Sequence, residues 1–226
     1  MSDARKEIWI GESKYVFRVS LRLVHWTVFL AVVVLSFTGY WIGSGNMPAG
    51  PGGIFQMGWV RYIHTIAGWI FLTALLVRLY LFFYGNEYAG WRQFIPYRRE
   101  DWKEIKELLA YYLFLRPRYP HVEYDHNRLA ALTYCVVYAL LAFMAVSGLA
   151  LHGMAFTFGW PSWLTWPLAF FSAPTLRLMH HMGMWLIWGF AVHHVASVVL
   201  VDHEARGGLV GGIFSGYKIV PKRVKH

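Results

Sequence analysis

Charge is scarce in this sequence. Only 15% of its 226 residues are Asp, Glu, Lys or Arg, while 57% are hydrophobic and 19% aromatic; an ordinary soluble domain is about 25% charged. A soluble fold of this size needs more polar surface, so the chain is expected to be an integral membrane protein forming a single domain over residues 1–226. Cysteine is nearly absent. Cys135 alone excludes an intrachain disulfide framework, a Cys-x-x-Cys-His haem attachment and a cysteine-ligated cluster or structural zinc within the chain. Acidic residues are also few, 12 against 21 basic ones, giving a net charge of +9. In a membrane protein that excess marks the loops retained in the cytoplasm rather than a nucleic-acid partner. A cleaved secretory signal is not expected either: residues 1–18 are polar, and the apolar stretch after them is too long for a signal core and has no small-residue cleavage site. The first apolar segment is therefore expected to remain as a span.

What the sequence does have is four long apolar runs. No charged residue stands between Arg22 and Arg61, and spans are expected at about 19–42, 60–84, 128–152 and 177–201. Each is long enough to cross ~30 Å of hydrocarbon at 1.5 Å per residue. Residues 43–58 are rich in Gly and Pro and read as a non-helical connection. The expected fold is all-α, a four-helix transmembrane bundle.

Lys and Arg fix the direction. Arg5, Lys6, Lys14, Arg18 and Arg22 precede or open the first span, nine more fall within residues 78–128, and Arg206, Lys218, Lys222, Arg223 and Lys225 follow the fourth span. The other side holds only Arg61 and Arg177. By the positive-inside rule both termini are cytoplasmic. Residues 99–115 read as an amphipathic helix on the cytoplasmic interface, with Trp102, Ile105, Leu108, Leu109 and Tyr112 on its apolar face. The outer loop 153–176 carries Trp160, Trp163, Trp166, Phe170 and Phe171 without a charge. That composition suits an interfacial belt and equally a docking surface.

The histidines carry the chemistry. Seven of the eleven, His25, His64, His152, His180, His181, His193 and His194, lie in the spans or at their ends, where an ionisable group marks a functional site; cross-helix hydrogen bonding is the bland alternative for any one of them. His180 and His194 are 14 residues apart. That is about 40° short of four helical turns, so both rings leave one face of the fourth span, ~21 Å apart along its axis. The 13-residue pairs His181/His194 and His180/His193 point to roughly opposite faces. Depth then selects partners. His25 lies at the cytoplasmic level of His194, and His64 at the outer level of His180, giving the pairs His25/His194 and His64/His180. Two imidazoles fill both axial positions of a haem iron, leaving no vacant site for oxygen or substrate; such a group passes electrons. Zinc fits less well, because each pair lacks the further carboxylate or thiolate a zinc site needs.

Arg22, Arg61 and Arg177 each stand three residues before His25, His64 and His180, on the same helix face, and Arg78 stands 14 after His64. Each has two readings, a partner for a haem propionate or a snorkelling interfacial arginine. Gly39, Gly68, Gly148, Gly183 and Gly189 permit close approach of a helix or a flat macrocycle, and ordinary helix contact explains them equally well.

At these residues the sequence resembles the b-type cytochrome subunit of membrane-bound nickel–iron hydrogenases. The resemblance covers nearly the whole chain. It rests on Tyr15-Val16-Phe17, Arg22-Leu23-Val24-His25-Trp26 and Thr38-Gly39-Tyr40, then Arg61-Tyr62-Ile63-His64 with Gly68. It continues in Arg78-Leu79-Tyr80, the stretch from Gly85-Asn86-Glu87-Tyr88 through Trp91-Arg92-Gln93 to Pro96, His180-His181-Met182-Gly183-Met184-Trp185, His193-His194 and Ser215-Gly216-Tyr217-Lys218. The resemblance implies two haems b in the inner membrane of a bacterium, held by His25, His64, His180 and His194. It also implies a periplasmic partner of small and large hydrogenase subunits, whose iron–sulfur clusters deliver electrons to the outer haem, with quinone reduced near the inner one. His193 beside His194 departs from the pattern; the 14-residue spacing selects His194.

Asn86, Tyr88, Trp91, Arg92, Asp202 and His203 are the candidates for a quinone pocket, and a solvated interface is the other explanation for them. Two functions compete with a hydrogenase-linked carrier: the same carrier serving another dehydrogenase, such as formate dehydrogenase, and a haem-free anchor or transporter.

Overall fold

The computed structural model describes residues 11–45, 51–85, 90, 95–96, 98–117, 128–154, 160–205 and 208–221. In chain order these form β1 (Gly11–Tyr15), α1 (Val19–Ser44), α2 (Pro51–Tyr84), α3 (Arg99–Tyr112), α4 (Arg128–Gly153), a 3-10 helix (Ser162–Ala169), α5 (Ala173–Ala205), α6 (Leu209–Ser215) and β2 (Tyr217–Pro221). Asn86, Tyr88, Trp91 and Arg92 lie outside the described residues. So do eight of the basic residues behind the charge count: Arg5, Lys6, Arg92, Arg118, Arg206, Lys222, Arg223 and Lys225.

Helices α1, α2, α4 and α5 are long and apolar enough to cross a membrane, as the four runs predict. The chain is a nearly all-helical four-span bundle. One boundary differs from expectation. Residues 43–58 are not one open connection, because α1 continues to Ser44 and α2 begins at Pro51. Gly45 ends α1 in the left-handed conformation, at φ 67°, the usual glycine stop. Pro51 stands in the first turn of α2, where its missing N–H breaks no bond and its fixed φ is already helical. The fourth span likewise starts at Ala173 rather than near 177, with the Ser172 hydroxyl accepting the Thr175 N–H at 3.3 Å.

The middle of the bundle is one apolar tier. Ala31, Phe71, Leu141 and Ile187, one from each spanning helix, are buried against each other. Lipid tails are as apolar as these side chains, so the tier holds the helices by close van der Waals fit. The outward faces carry exposed large apolar residues such as Phe37, Trp69 and Leu186, as a bilayer requires.

Helix α3 packs on α4, and its buried side differs from the face read in the sequence. Leu108 is 0% exposed, Ile105 and Asp101 are also buried, and Trp102 and Leu109 stand half-exposed; the Tyr112 side chain is outside the described residues. The two sets of residues point roughly 80° apart around the helix. One stripe packs against α4, and the neighbouring stripe is left for the interface. The Asp101 carboxylate accepts the Arg98 N–H at 3.1 Å, closing the first turn.

The ends of the chain meet in a ribbon that the apolar pattern does not foretell. β1 and β2 pair antiparallel, Tyr15 opposite Tyr217 and Gly11 opposite Pro221. The Gly216 carbonyl accepts the N–H groups of Val16 and Phe17 at 2.9 and 3.1 Å. Gly216 has φ 94°, and a Cβ there would stand 2.5 Å from a Tyr15 ring carbon; only glycine serves. The ribbon places both described ends of the chain at one end of the bundle.

α6 is anchored beside it. Asp202 accepts the Leu209 and Val210 N–H groups at 2.6 and 3.2 Å, Arg22 donates through Nη1 to the Phe214 carbonyl, and the Trp26 and Phe214 rings lie 4.9 Å apart. Asp202→Ala is expected to loosen α6 by about 1 kcal/mol, the usual cost of a lost helix cap. Faster amide exchange at Leu209 and Val210, with the spans unaffected, is the measurement that checks it.

Candidate functional site

Regular helix spacing builds the site in three tiers. On α5, His180, Ile187 and His194 recur every seven residues; on α2, His64, Phe71 and Arg78 do the same. Seven residues is nearly two turns and ~10.5 Å. Each series therefore stays on one face, and the apolar middle tier falls between two levels bearing histidine.

At one level His25 of α1 faces His194 of α5, with ring centres 6.4 Å apart and planes at 53°. Trp26 lies edge-on to His25 at 5.4 Å. Phe190 stacks on His194 at 5.4 Å, and Tyr134 of α4 meets it edge-on at 5.9 Å. One turn further along α4, the Tyr138 hydroxyl accepts the Arg78 Nε–H at 2.8 Å while the guanidinium lies 5.0 Å from the Tyr138 ring centre. Arg78 is only 6% exposed, so a buried cation stands near this level.

At the other level stand His64 of α2 and His180 of α5. Each is held by a neighbouring helix. The Thr38 hydroxyl of α1 stands 2.8 Å from His64 Nδ1, and the Ser147 hydroxyl of α4 stands 2.8 Å from His180 Nδ1. The next residue is glycine in both cases. A Cβ at Gly39 would lie 3.2 Å from His64 Cε1, and one at Gly148 would lie 3.3 Å from His180 Cε1. Each is tighter than ordinary van der Waals contact. These two glycines make room for imidazoles. Gly183 instead lies against Met144, and nothing stands within 4 Å of a Cβ at Gly68 or Gly189.

The remaining histidines turn elsewhere. His193 is exposed and lies 3.3 Å from the Ser197 hydroxyl of its own helix. His181 meets α1 at Gly43, where a Cβ would stand 3.1 Å from its Nδ1, and lies near the Tyr40 ring at 6.4 Å. His152 is edge-on to Trp160 at 4.9 Å. Arg61 and Arg177 are exposed at the far end of the bundle, and Arg22 bonds α6. Of the quinone candidates, His203 is exposed, and Asp202 has both oxygens engaged in holding α6.

The donor set fits haem. A metal–imidazole bond is about 2 Å and a ring centre lies about 1.2 Å behind its bonded nitrogen, so two imidazoles on opposite sides of one iron have centres about 6.4 Å apart. His25 and His194 stand at that separation. Among the described residues there is no group of three or more His, Cys, Asp or Glu that could hold a metal ion. Sequence reasoning passed over Ser147, Tyr134 and Phe190. The signal for the first was a hydroxyl–glycine dipeptide, Thr38-Gly39 and Ser147-Gly148, recurring in two spans.

Gly148→Ala is expected to push the His180 ring aside and weaken haem binding at that level roughly tenfold or more, the usual effect of disturbing a ligand's support. Gly58→Ala, where a Cβ meets nothing within 4 Å, should leave haem binding unchanged. Haem titration of the purified variants separates the two.

Residues 16–216 match the family described as prokaryotic cytochrome b561. A protein of Azotobacter vinelandii called probable Ni/Fe-hydrogenase B-type cytochrome subunit is 32% identical over 227 residues, covering 96% of this chain and 93% of that one. A protein of the same name from Cupriavidus necator is 32% identical over 216 residues (92% and 87% covered). The probable Ni/Fe-hydrogenase 1 B-type cytochrome subunit of Escherichia coli K12 is 30% identical over 215 residues, with 91% of each chain covered. With four apolar helices and these bacterial relatives, the chain is a multi-pass protein of a bacterial inner membrane. It belongs to the prokaryotic cytochrome b561 family.

Proposed function

We propose that this chain is the dihaem b subunit that carries electrons from a periplasmic nickel–iron hydrogenase to membrane quinone and anchors that hydrogenase. One observation carries the proposal: two histidine levels, one on either side of an apolar tier, with His25 and His194 at 6.4 Å and His64 and His180 each secured by a hydroxyl at 2.8 Å. Haem b, when bound, supplies one-electron chemistry without an open site at iron. His64 and His180 would hold the outer group, and His25 and His194 the inner one. Buried Arg78 supplies positive charge beside the inner level, where a propionate would need it. His193, exposed and bonded to its own helix, takes no part in this scheme.

Direction follows from charge. The ribbon joins the two described ends of the chain on one side, and by the positive-inside rule the excess of Lys and Arg would put that side in the cytoplasm. The opposite, periplasmic end bears exposed Trp163, Trp166 and Phe170 around the 3-10 helix, aromatic and uncharged as the core of a protein interface is. The hydrogenase small subunit, with its iron–sulfur clusters, would seat there, the large subunit beyond it. Quinone would bind on the cytoplasmic half, with the Asp202 carboxylate excluded because it holds α6. The names of the relatives favour hydrogenase over formate dehydrogenase.

The test is removal of the chain from a hydrogen-oxidising membrane. Hydrogen-dependent quinone reduction should disappear while hydrogen-dependent reduction of a soluble dye persists, and tagged chain should co-purify with nickel. Co-purification with molybdenum instead would assign the carrier to a different dehydrogenase.

A further inference from the structure

The two outer histidines are gripped in the same way by different helices. In each case a hydroxyl lies 2.8 Å from imidazole Nδ1. The same hydroxyl oxygen lies 2.7 Å from the carbonyl oxygen one turn back on its own helix, Val34 for Thr38 and Phe143 for Ser147. Two oxygens that close need a hydrogen between them, and a carbonyl has none to give. The one hydroxyl hydrogen is therefore spent on the carbonyl. What remains for the imidazole is a lone pair, so Nδ1 must be the donor.

We propose that Thr38 and Ser147 are positioning residues: by accepting the Nδ1–H of His64 and His180, they fix both rings in the tautomer whose Nε2 lone pair is free to bind iron. The inference rests on the dihaem reading and adds to it the device that presets the outer pair. Neutral imidazole binds metal through one nitrogen, and which nitrogen is set by the hydrogen bond of the other. A hydrogen bond at Nδ1 also makes the ligating nitrogen a stronger electron donor, which stabilises ferric over ferrous iron. The glycines complete the grip, since Gly39 and Gly148 admit the Cε1 edge of each ring and Ser147 is almost fully buried. At the inner level the groups found around His25 and His194 are aromatic rings. The outer haem would thereby be held at lower potential than it would have without these two hydroxyls.

The test uses the full chain in detergent and the double variant Thr38→Val, Ser147→Ala, which removes both hydroxyls while nearly keeping shape. Redox titration should show one haem shifted to higher midpoint potential and the other unchanged, with outer-haem affinity lowered 10- to 100-fold. Thr38→Ser, which keeps the hydroxyl, should retain the parent potential. Unchanged potentials with full haem content, or an equal shift of both haems, would overturn the proposal. Nitrogen-15 spectra of the imidazoles in the haem-free full chain test the same bonds without a variant. Protonated Nδ1 at His64 and His180 is the expected result, and protonated Nε2 at either would contradict it. A parent chain that bound no haem would overturn the dihaem reading, while these spectra would still report the hydrogen bonds.

Discussion

His180→Ala is expected to yield a chain that holds one haem b instead of two. On the proposed reading His180 would supply one of two axial positions at the outer level, and among the other described histidines none is placed to substitute. His181, its neighbour, is turned toward Gly43 and Tyr40 of α1; His152 lies edge-on to Trp160. His64→Ala should have the same effect, because a single imidazole leaves the iron five-coordinate and weakly held. His25→Ala and His194→Ala should remove the inner haem and spare the outer one, since the Ala31, Phe71, Leu141 and Ile187 tier separates the levels. His181→Ala and His193→Ala should retain both haems. Haem per chain, with the low-spin signals counted by electron paramagnetic resonance, reads all six variants. Loss of a haem in His193→Ala with retention in His194→Ala would reverse the assignment on α5.

Which parts of this could be read from the sequence follows from how far each signal reaches along the chain. The two histidine levels were legible because helix periodicity is rigid. Fourteen residues on an apolar helix fix both a face and a depth, and alternating span directions then choose the partners. The identity of the second-layer partners was half legible. Thr38-Gly39 and Ser147-Gly148 repeat one dipeptide, but the dipeptide does not say that the Ser147 hydroxyl meets His180, 33 residues away. The terminal ribbon was not legible at all. It joins five residues near each end of the chain through the positive φ of Gly216, and such pairing leaves no periodic trace. For α3 the apolar face was recognised but assigned to one neighbour. It serves two, α4 and the interface, and only the three-dimensional arrangement shows that Leu108 is buried while Trp102 is left exposed. The spacing of Arg22 to His25 leaves two readings, a propionate partner or a snorkelling arginine, and it does not foretell that the guanidinium bonds the Phe214 carbonyl, a contact 192 residues away in sequence.

The second large effect is electrical. In liposomes carrying the hydrogenase complex facing outward, hydrogen and quinone together should make the outside positive. On the proposed reading, oxidation of one hydrogen would release two protons outside, and the two electrons would move inward from the His64/His180 level to the His25/His194 level. Quinone, reduced at the inner side, would take two protons from within. No proton crosses the membrane, yet two charges are separated per quinone reduced. The two levels stand ~21 Å apart along α5, most of the ~30 Å hydrocarbon thickness; a single level would leave the apolar tier unbridged. A potential-sensitive dye should respond within the time of quinone reduction and collapse with an ionophore. Electrically silent turnover would place quinone reduction on the outer side and take His25 and His194 out of the productive path.

The most direct measurement is the dithionite-reduced minus oxidised absorption spectrum of the purified chain, with haem and protein assayed in the same sample. Two low-spin, six-coordinate haems b per chain is the predicted result. A haem-free chain, or a high-spin spectrum reporting an open position at iron, would contradict the pairing of His25 with His194 and of His64 with His180 on which the proposed function stands.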